Sequence, residues 1–252
     1  MREPQPKTIY LKDYAPPAFL IERITLDVDI RDHDAIVLAR MEVGRNPGSI
    51  DPGAPLVLAG DELELRAISL DGAHLRENQY SLTPERLALP HVPGAFTLET
   101  VSRIVPQQNT RLEGLYPTRS GFATQCEAEG FRRITWFIDR PDVMARYTTA
   151  VHADKARFPV LLSNGNLVEA GDEPGGRHFA AFHDPYPKPS YLFALVAARL
   201  DVLEDEFVTR SGAPKRLSVY VEPGKLDQAA WAMDCLKRAM RWDERRFGLE
   251  LD

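Results

Sequence analysis

Ile24-Thr25-Leu26-Asp27-Val28-Asp29-Ile30-Arg31 alternates apolar and polar side chains with a period of two. Successive strand residues point to opposite faces, so Ile24, Leu26, Val28 and Ile30 line one buried face and the polar residues line the other. Arg31-Asp32-His33-Asp34 then turns the chain into a second alternating run, Val37, Ala39, Met41 and Val43, and the two runs predict a hairpin. Similar short runs recur outward from this pair, at Leu63–Leu70 before Asp71-Gly72, Phe96–Val105, Phe131–Ile138, Thr149–Leu162 before Asn164-Gly165, and Arg177–Phe182. Asp-Gly and Asn-Gly supply the positive φ of tight hairpin turns. Prolines number 20 of 252, which breaks helices and punctuates strands. The expectation is a mainly β protein built from packed antiparallel sheets.

The pattern changes after Arg199. A strand pair, Asp201–Thr209 and Arg216–Val221, leads through Pro223-Gly224 into the one long helical pattern, Leu226–Phe247, with its stop at Gly248. Leu226, Ala229, Ala230, Met233, Leu236, Met240 and Phe247 share one helix face, while Trp231, Cys235, Ala239 and Trp242 share the opposite one. A helix apolar on two faces must be covered on both. The expected division is therefore a β domain over 1–199 and, over 200–252, the opening of a second domain whose continuation buries the tryptophans. A dimer contact through Trp231 and Trp242 is the alternative.

Charge and composition exclude several classes. Lys and Arg total 31 against 37 Asp and Glu, a formal net charge of -6, and no block of five like charges occurs, so a nucleic-acid partner is not expected. The longest apolar run, Tyr191–Ala198, is far short of the ~20 residues of a spanning helix, so no membrane partner is expected either. The polar start Met1–Lys7 does not read as a secretory signal, and two cysteines, Cys126 and Cys235, form no disulfide framework; a cytoplasmic location follows as an expectation.

No H-E-x-x-H, G-x-S-x-G, P-loop or G-x-G-x-x-G pattern is present. His178 and His183, with Asp184 adjacent, sit at odd spacing, which a strand places on opposite faces, so they are not expected to be metal ligands. Acids follow Cys126 and should raise its pKa, which argues for a packed thiol and against a nucleophile. In Thr124-Gln125-Cys126-Glu127-Ala128-Glu129-Gly130 an extended chain would put Gln125, Glu127 and Glu129 on one side. Such a row reads either as a solvated edge whose acids pair with Arg132 and Arg133, or as a site for an ammonium group, whose protons an amide oxygen and carboxylates can accept. Spacing alone does not separate the two.

Gly114–Pro117, Thr124–Thr135, Asp139–Thr148, Leu161–Asn166, Asp184–Pro189, Tyr191–Ala197 and Trp242–Gly248, taken in order, resemble the bacterial aminopeptidase N family, zinc-dependent aminopeptidases of the gluzincin group. The resemblance spans essentially the whole chain and is weakest before about residue 100. It implies a saddle-like antiparallel β-sandwich over 1–199, then the truncated start of a thermolysin-like α/β catalytic domain over 200–252. It also implies that Gln125 and Glu127 bind the free α-amine of a peptide substrate, with Glu129 outside that contact. The zinc ligands, catalytic base and oxyanion-stabilising tyrosine of the family have no counterpart in these 252 residues. The resemblance thus implies a zinc metallo-aminopeptidase as the parent, peptide substrates and the remaining catalytic and C-terminal domains as partners, and a chain that binds no zinc and is inactive alone. A free-standing β module that binds peptides or a protein partner is the alternative.

Overall fold

The computed structural model describes residues 8 and 10–251. Its largest sheet has eight strands, in the order Asn166–Glu173, Arg177–Pro189, Met144–Asp154, Phe19–Ile30, Ala35–Arg45, Ala95–Ile104, Glu64–Leu70 and Ala73–His74. The alternation at 24–30 is buried as read: Ile24, Leu26, Val28 and Ile30 face the core, and the hairpin to Ala35–Arg45 pairs Ile30 with Ala35. Asp71 and Gly72, both at positive φ, make the two-residue turn expected of Asp-Gly and pair Leu70 with Ala73. Every pairing in this sheet is antiparallel except one. Phe19–Ile30 and Met144–Asp154 run parallel, with Ile24 opposite Tyr147. A parallel pair needs a long crossover, and here the intervening chain builds all of one further sheet and half of another.

One of those sheets has four strands, in the order Val160–Ser163, Leu195–Ala198, Gly121–Gln125 and Gly114–Pro117; the other has three, Leu56–Ala59, Arg86–Leu89 and Ser81–Thr83. The three sheets share one apolar core, which runs from Phe19 to Ala197. The expected mainly β class, with packed sheets followed by a hairpin and one helix, is the observed architecture.

Three expectations need correction. Phe131–Ile138 is not a strand: it opens with a 3-10 turn, Phe131–Arg133, and pairs only through an isolated bridge from Phe137 to Ala59. Its apolar residues are buried without alternation, because the segment fills the interior between the sheets. Trp136 and Phe137 are fully buried, and Phe131 meets the rings of Phe137, Tyr147 and Phe193 at centroid distances of 4.9, 5.9 and 5.1 Å. The run Thr149–Leu162 divides between Met144–Asp154 in the large sheet and Val160–Ser163 in the four-stranded one. Asn164-Gly165 consequently does not close a hairpin but passes the chain between sheets, and a Cβ on Gly165 would lie 2.3 Å from the His183 carbonyl oxygen. The strand it leads into, Asn166–Glu173, was not expected, since an edge strand exposed along most of its length carries no apolar alternation.

Asp201–Val208 and Pro214–Val221 form the expected hairpin, and Leu226–Phe247 packs on it through a separate small core of Phe207, Leu217 and Met233. The helix ends at Gly248 in the left-handed region (φ 73°), whose N–H donates to the Glu244 carbonyl at 3.1 Å. The inward stripe is narrower than the spacing suggested. Ala229 and Met233 are buried, but Leu226, Leu236 and Phe247 are exposed along with Trp231 (69%) and Trp242 (57%).

Candidate functional site

Gln125 is the last residue of Gly121–Gln125 and pairs with Gly114 on the neighbouring strand. The chain does not stay extended beyond it. Residues 127–130 form a turn, closed by the Gly130 N–H donating to the Cys126 carbonyl at 2.8 Å, so the strict two-sided alternation expected over 124–130 fails after Glu127. Cys126 points into the core, whereas Gln125, Glu127, Ala128 and Glu129 are all exposed. The Glu127–Ala128 peptide bond is cis.

Two glycines permit this packing. Gly114 adopts φ +69°, and a Cβ there would lie 2.7 Å from Cβ of Arg133. A Cβ on Gly130 would lie 2.4 Å from the Gln125 carbonyl oxygen and 3.0 Å from the Gly114 nitrogen. The turn is thus pressed against the backbone of the strand pair that carries Gln125.

The acids of the turn divide cleanly. Glu129 Oε2 takes an ion pair from Arg132 at 3.1 Å, the solvated-edge arrangement. Arg133, which is buried, turns the other way and pairs with Asp61 and Glu62. The Glu127 carboxylate has no hydrogen-bond or ion-pair partner among the described residues. Beside it, the Gln125 side-chain Nε2 donates to the Glu127 carbonyl at 3.2 Å. A carbonyl can only accept, so this contact fixes the amide with its NH2 inward and leaves Oε1 as an acceptor. An amide oxygen and a carboxylate thereby remain available on two residues that the turn holds together, a donor-seeking pair suited to an ammonium group.

The other candidate residues are committed elsewhere. Burial, and after it the nearby Asp139, pushes the Cys126 thiol well above its ordinary range, which agrees with a packed thiol; the flanking acids are not the cause. His178 Nε2 contacts the Phe158 carbonyl at 2.8 Å and His183 Nδ1 the Thr148 hydroxyl at 3.0 Å, so each ring is engaged by its own neighbours. Among the described residues no three His, Cys, Asp or Glu side chains converge as a metal would require.

The residues that hold the turn were not singled out from sequence. Asp139, whose side chain is 1% exposed, accepts from the Arg132 backbone N–H at 3.2 Å, from Arg132 Nε at 3.0 Å and from the Ser190 hydroxyl at 2.6 Å. Thr124 Oγ1 accepts from the Leu195 N–H at 2.8 Å and ties the strand to its other neighbour. Asp139 and Ser190 lie 51 positions apart, and no local pattern relates them.

Comparison with known proteins bears on this geometry. Residues 65–192, about half the chain, match the Peptidase M1 N-terminal domain. Aminopeptidase N of Caulobacter vibrioides is 50% identical over 252 residues, covering 100% of this chain and 29% of that protein. Aminopeptidase N of Escherichia coli is 46% identical, covering 98% and 28%. This chain therefore spans less than a third of the length of these relatives. Among solved structures, Legionella pneumophila aminopeptidase A in complex with aspartic acid superposes with a TM-score of 0.91 at 37% identity, over 96% of this chain and 28% of that one. An M1 zinc metallopeptidase of Deinococcus radiodurans shares the fold, with a TM-score of 0.67 at 16% identity over 82% of this chain and 48% of its own. The chain belongs to the Peptidase M1 N-terminal domain family.

Proposed function

We propose that this chain is the N-terminal part of a zinc metallo-aminopeptidase that removes N-terminal residues from peptides, and that Gln125 and Glu127 anchor the substrate's α-amine. One observation carries the assignment: of the exposed acids in the turn, Glu129 is ion-paired and Glu127 has no partner among the described residues, while the Gln125 amide is held to the Glu127 backbone carbonyl through its Nε2. An aminopeptidase must read a positive N-terminus, and a carboxylate fixed on a braced turn both binds it and sets how far the next peptide bond lies from the anchor. Zinc, when bound by the rest of the parent, would supply Lewis-acid chemistry at the scissile bond. The residues of this chain bind and orient the amine.

The same reading divides the protein at 199/200, a boundary supported by its lying between Ala197 of the large core and Leu203 at the edge of the hairpin–helix core. It assigns the exposed Trp231 and Trp242 face to contact with the rest of the catalytic domain. It places the protein in the cytoplasm, a setting in which Cys126 and Cys235 stay free thiols, as they are here. In the full-length protein, Glu127→Ala is expected to lower kcat/KM by roughly 2–4 kcal/mol, the scale of a lost charged contact. Metal content and melting temperature should not change. Unaltered kinetics would remove Glu127 from the site.

A further inference from the structure

We propose that Asp139 is a positioning residue for the amine anchor, acting through Arg132 and Ser190; this rests on the assignment of Glu127 above. Its carboxylate is almost wholly buried and accepts three hydrogen bonds from two separate segments. The first segment is the foot of the turn. Gly130 is followed directly by the Phe131–Arg133 3-10 turn, and Asp139 Oδ2 takes both the backbone N–H and the Nε of Arg132, while Arg132 donates from its far nitrogen to the Asp139 carbonyl at 3.1 Å. That guanidinium extends outward to Glu129, two residues from Glu127.

The second segment is the support of the strand. Ser190 opens the Ser190–Leu192 turn that feeds Leu195–Ala198, and Leu195 is bonded to Thr124, the neighbour of Gln125. One buried carboxylate thus joins the Glu127 side of the anchor to the Gln125 side. A buried charge with no other cation within pairing distance among the described residues depends on Arg132, and Arg132 in turn is oriented by it. Removing the carboxylate frees the guanidinium and the turn together, and displacement of a binding group by about 1 Å is enough to cost on the order of 10²-fold in rate.

The test is a mutant cycle in the full-length protein, read as kcat/KM for aminoacyl-anilide hydrolysis. Asp139→Ala is expected to lower kcat/KM at least tenfold alone and less than threefold when Glu127→Gln is already present, because the residue acts through Glu127. Asp139→Asn, which keeps an oxygen for Arg132 and can donate to the Ser190 hydroxyl, should recover most of the loss. If Asp139→Ala does not fold, Ser190→Ala and Arg132→Lys carry the same cycle, each expected to lose more in the wild-type background than in Glu127→Gln. Equal losses in both backgrounds would overturn the positioning role and leave the anchor standing. A Glu127→Gln single variant with wild-type kinetics would instead overturn the anchor itself, and the proposal with it.

Discussion

Replacing Gly130 with alanine isolates the geometry of the turn from its chemistry. Gly130 has φ −79° and ψ −14°, a conformation alanine adopts freely, so no backbone strain is introduced. The added methyl is what cannot be placed. It would sit 2.4 Å from the Gln125 carbonyl oxygen, 3.0 Å from the Gly114 nitrogen and 3.1 Å from Cα of Cys126, where ordinary contact begins at 3.4 Å. All three neighbours are backbone, so no side chain can swing aside. Relief requires the turn and the end of the Gly121–Gln125 strand to part by about 1 Å, a displacement worth on the order of 10²-fold in activity, with about 1–3 kcal/mol of overpacking cost in stability. The assay is aminoacyl-anilide hydrolysis by the full-length variant beside a urea titration. Gly94→Ala, where a Cβ would meet nothing within 4 Å, is the control and should stay within about 0.5 kcal/mol of wild type. A Gly130→Ala protein with native stability and native kcat/KM would refute the claim that the anchor depends on this packing.

Other outcomes follow from the same structure. Phe131→Ala, which empties the fully buried centre of the aromatic group formed with Phe137, Tyr147 and Phe193, should cost about 3–5 kcal/mol in denaturant unfolding, and a loss below about 1 kcal/mol would mean the segment is not the interior plug described. Alkylation of the native protein should modify Cys235 and spare the buried, high-pKa Cys126 until denaturant is added; rapid modification of both would contradict the packing of Cys126. Arg31 first, and Arg103 with it, hold the Asp34 carboxyl below the usual carboxylate range. The stability it contributes is present above its unfolded pKa of about 3.9 and is lost as pH falls through the lower folded value. Asp34→Asn should therefore be less stable than wild type at neutral pH, with the difference closing in acid, and a constant difference down to pH 2 would exclude this linkage.

Much of the architecture is legible because one physical signal, half-burial, writes itself into alternation. Ile24–Ile30 and its partner carry it, and so does Asp71-Gly72, whose positive φ values leave little choice of turn. The signal disappears where burial is total or absent. Trp136 and Phe137 are apolar because they are enclosed on all sides, so their run imitates a strand, while Asn166–Glu173 is a strand too exposed to be marked. The helix shows a related limit, since Leu226, Leu236 and Phe247 match the spacing of Met233 but lie where the two-stranded hairpin does not reach. At the site, Gln125 and Glu127 are legible as residues, and only through a family resemblance as a pair with a role. What separates Glu127 from Glu129 is the direction of Arg132, and that depends on Asp139 and Ser190, which meet only in three dimensions.

The most direct test of the central claim compares two competitive inhibitors of the full-length protein that differ only in whether they carry the α-amine. Wild type should bind the amine-bearing compound more tightly by roughly 2–4 kcal/mol. Glu127→Gln should lose most of that preference while binding the des-amino compound as wild type does. An undiminished preference for the amine in the Glu127→Gln variant would show that the substrate's N-terminus is held elsewhere.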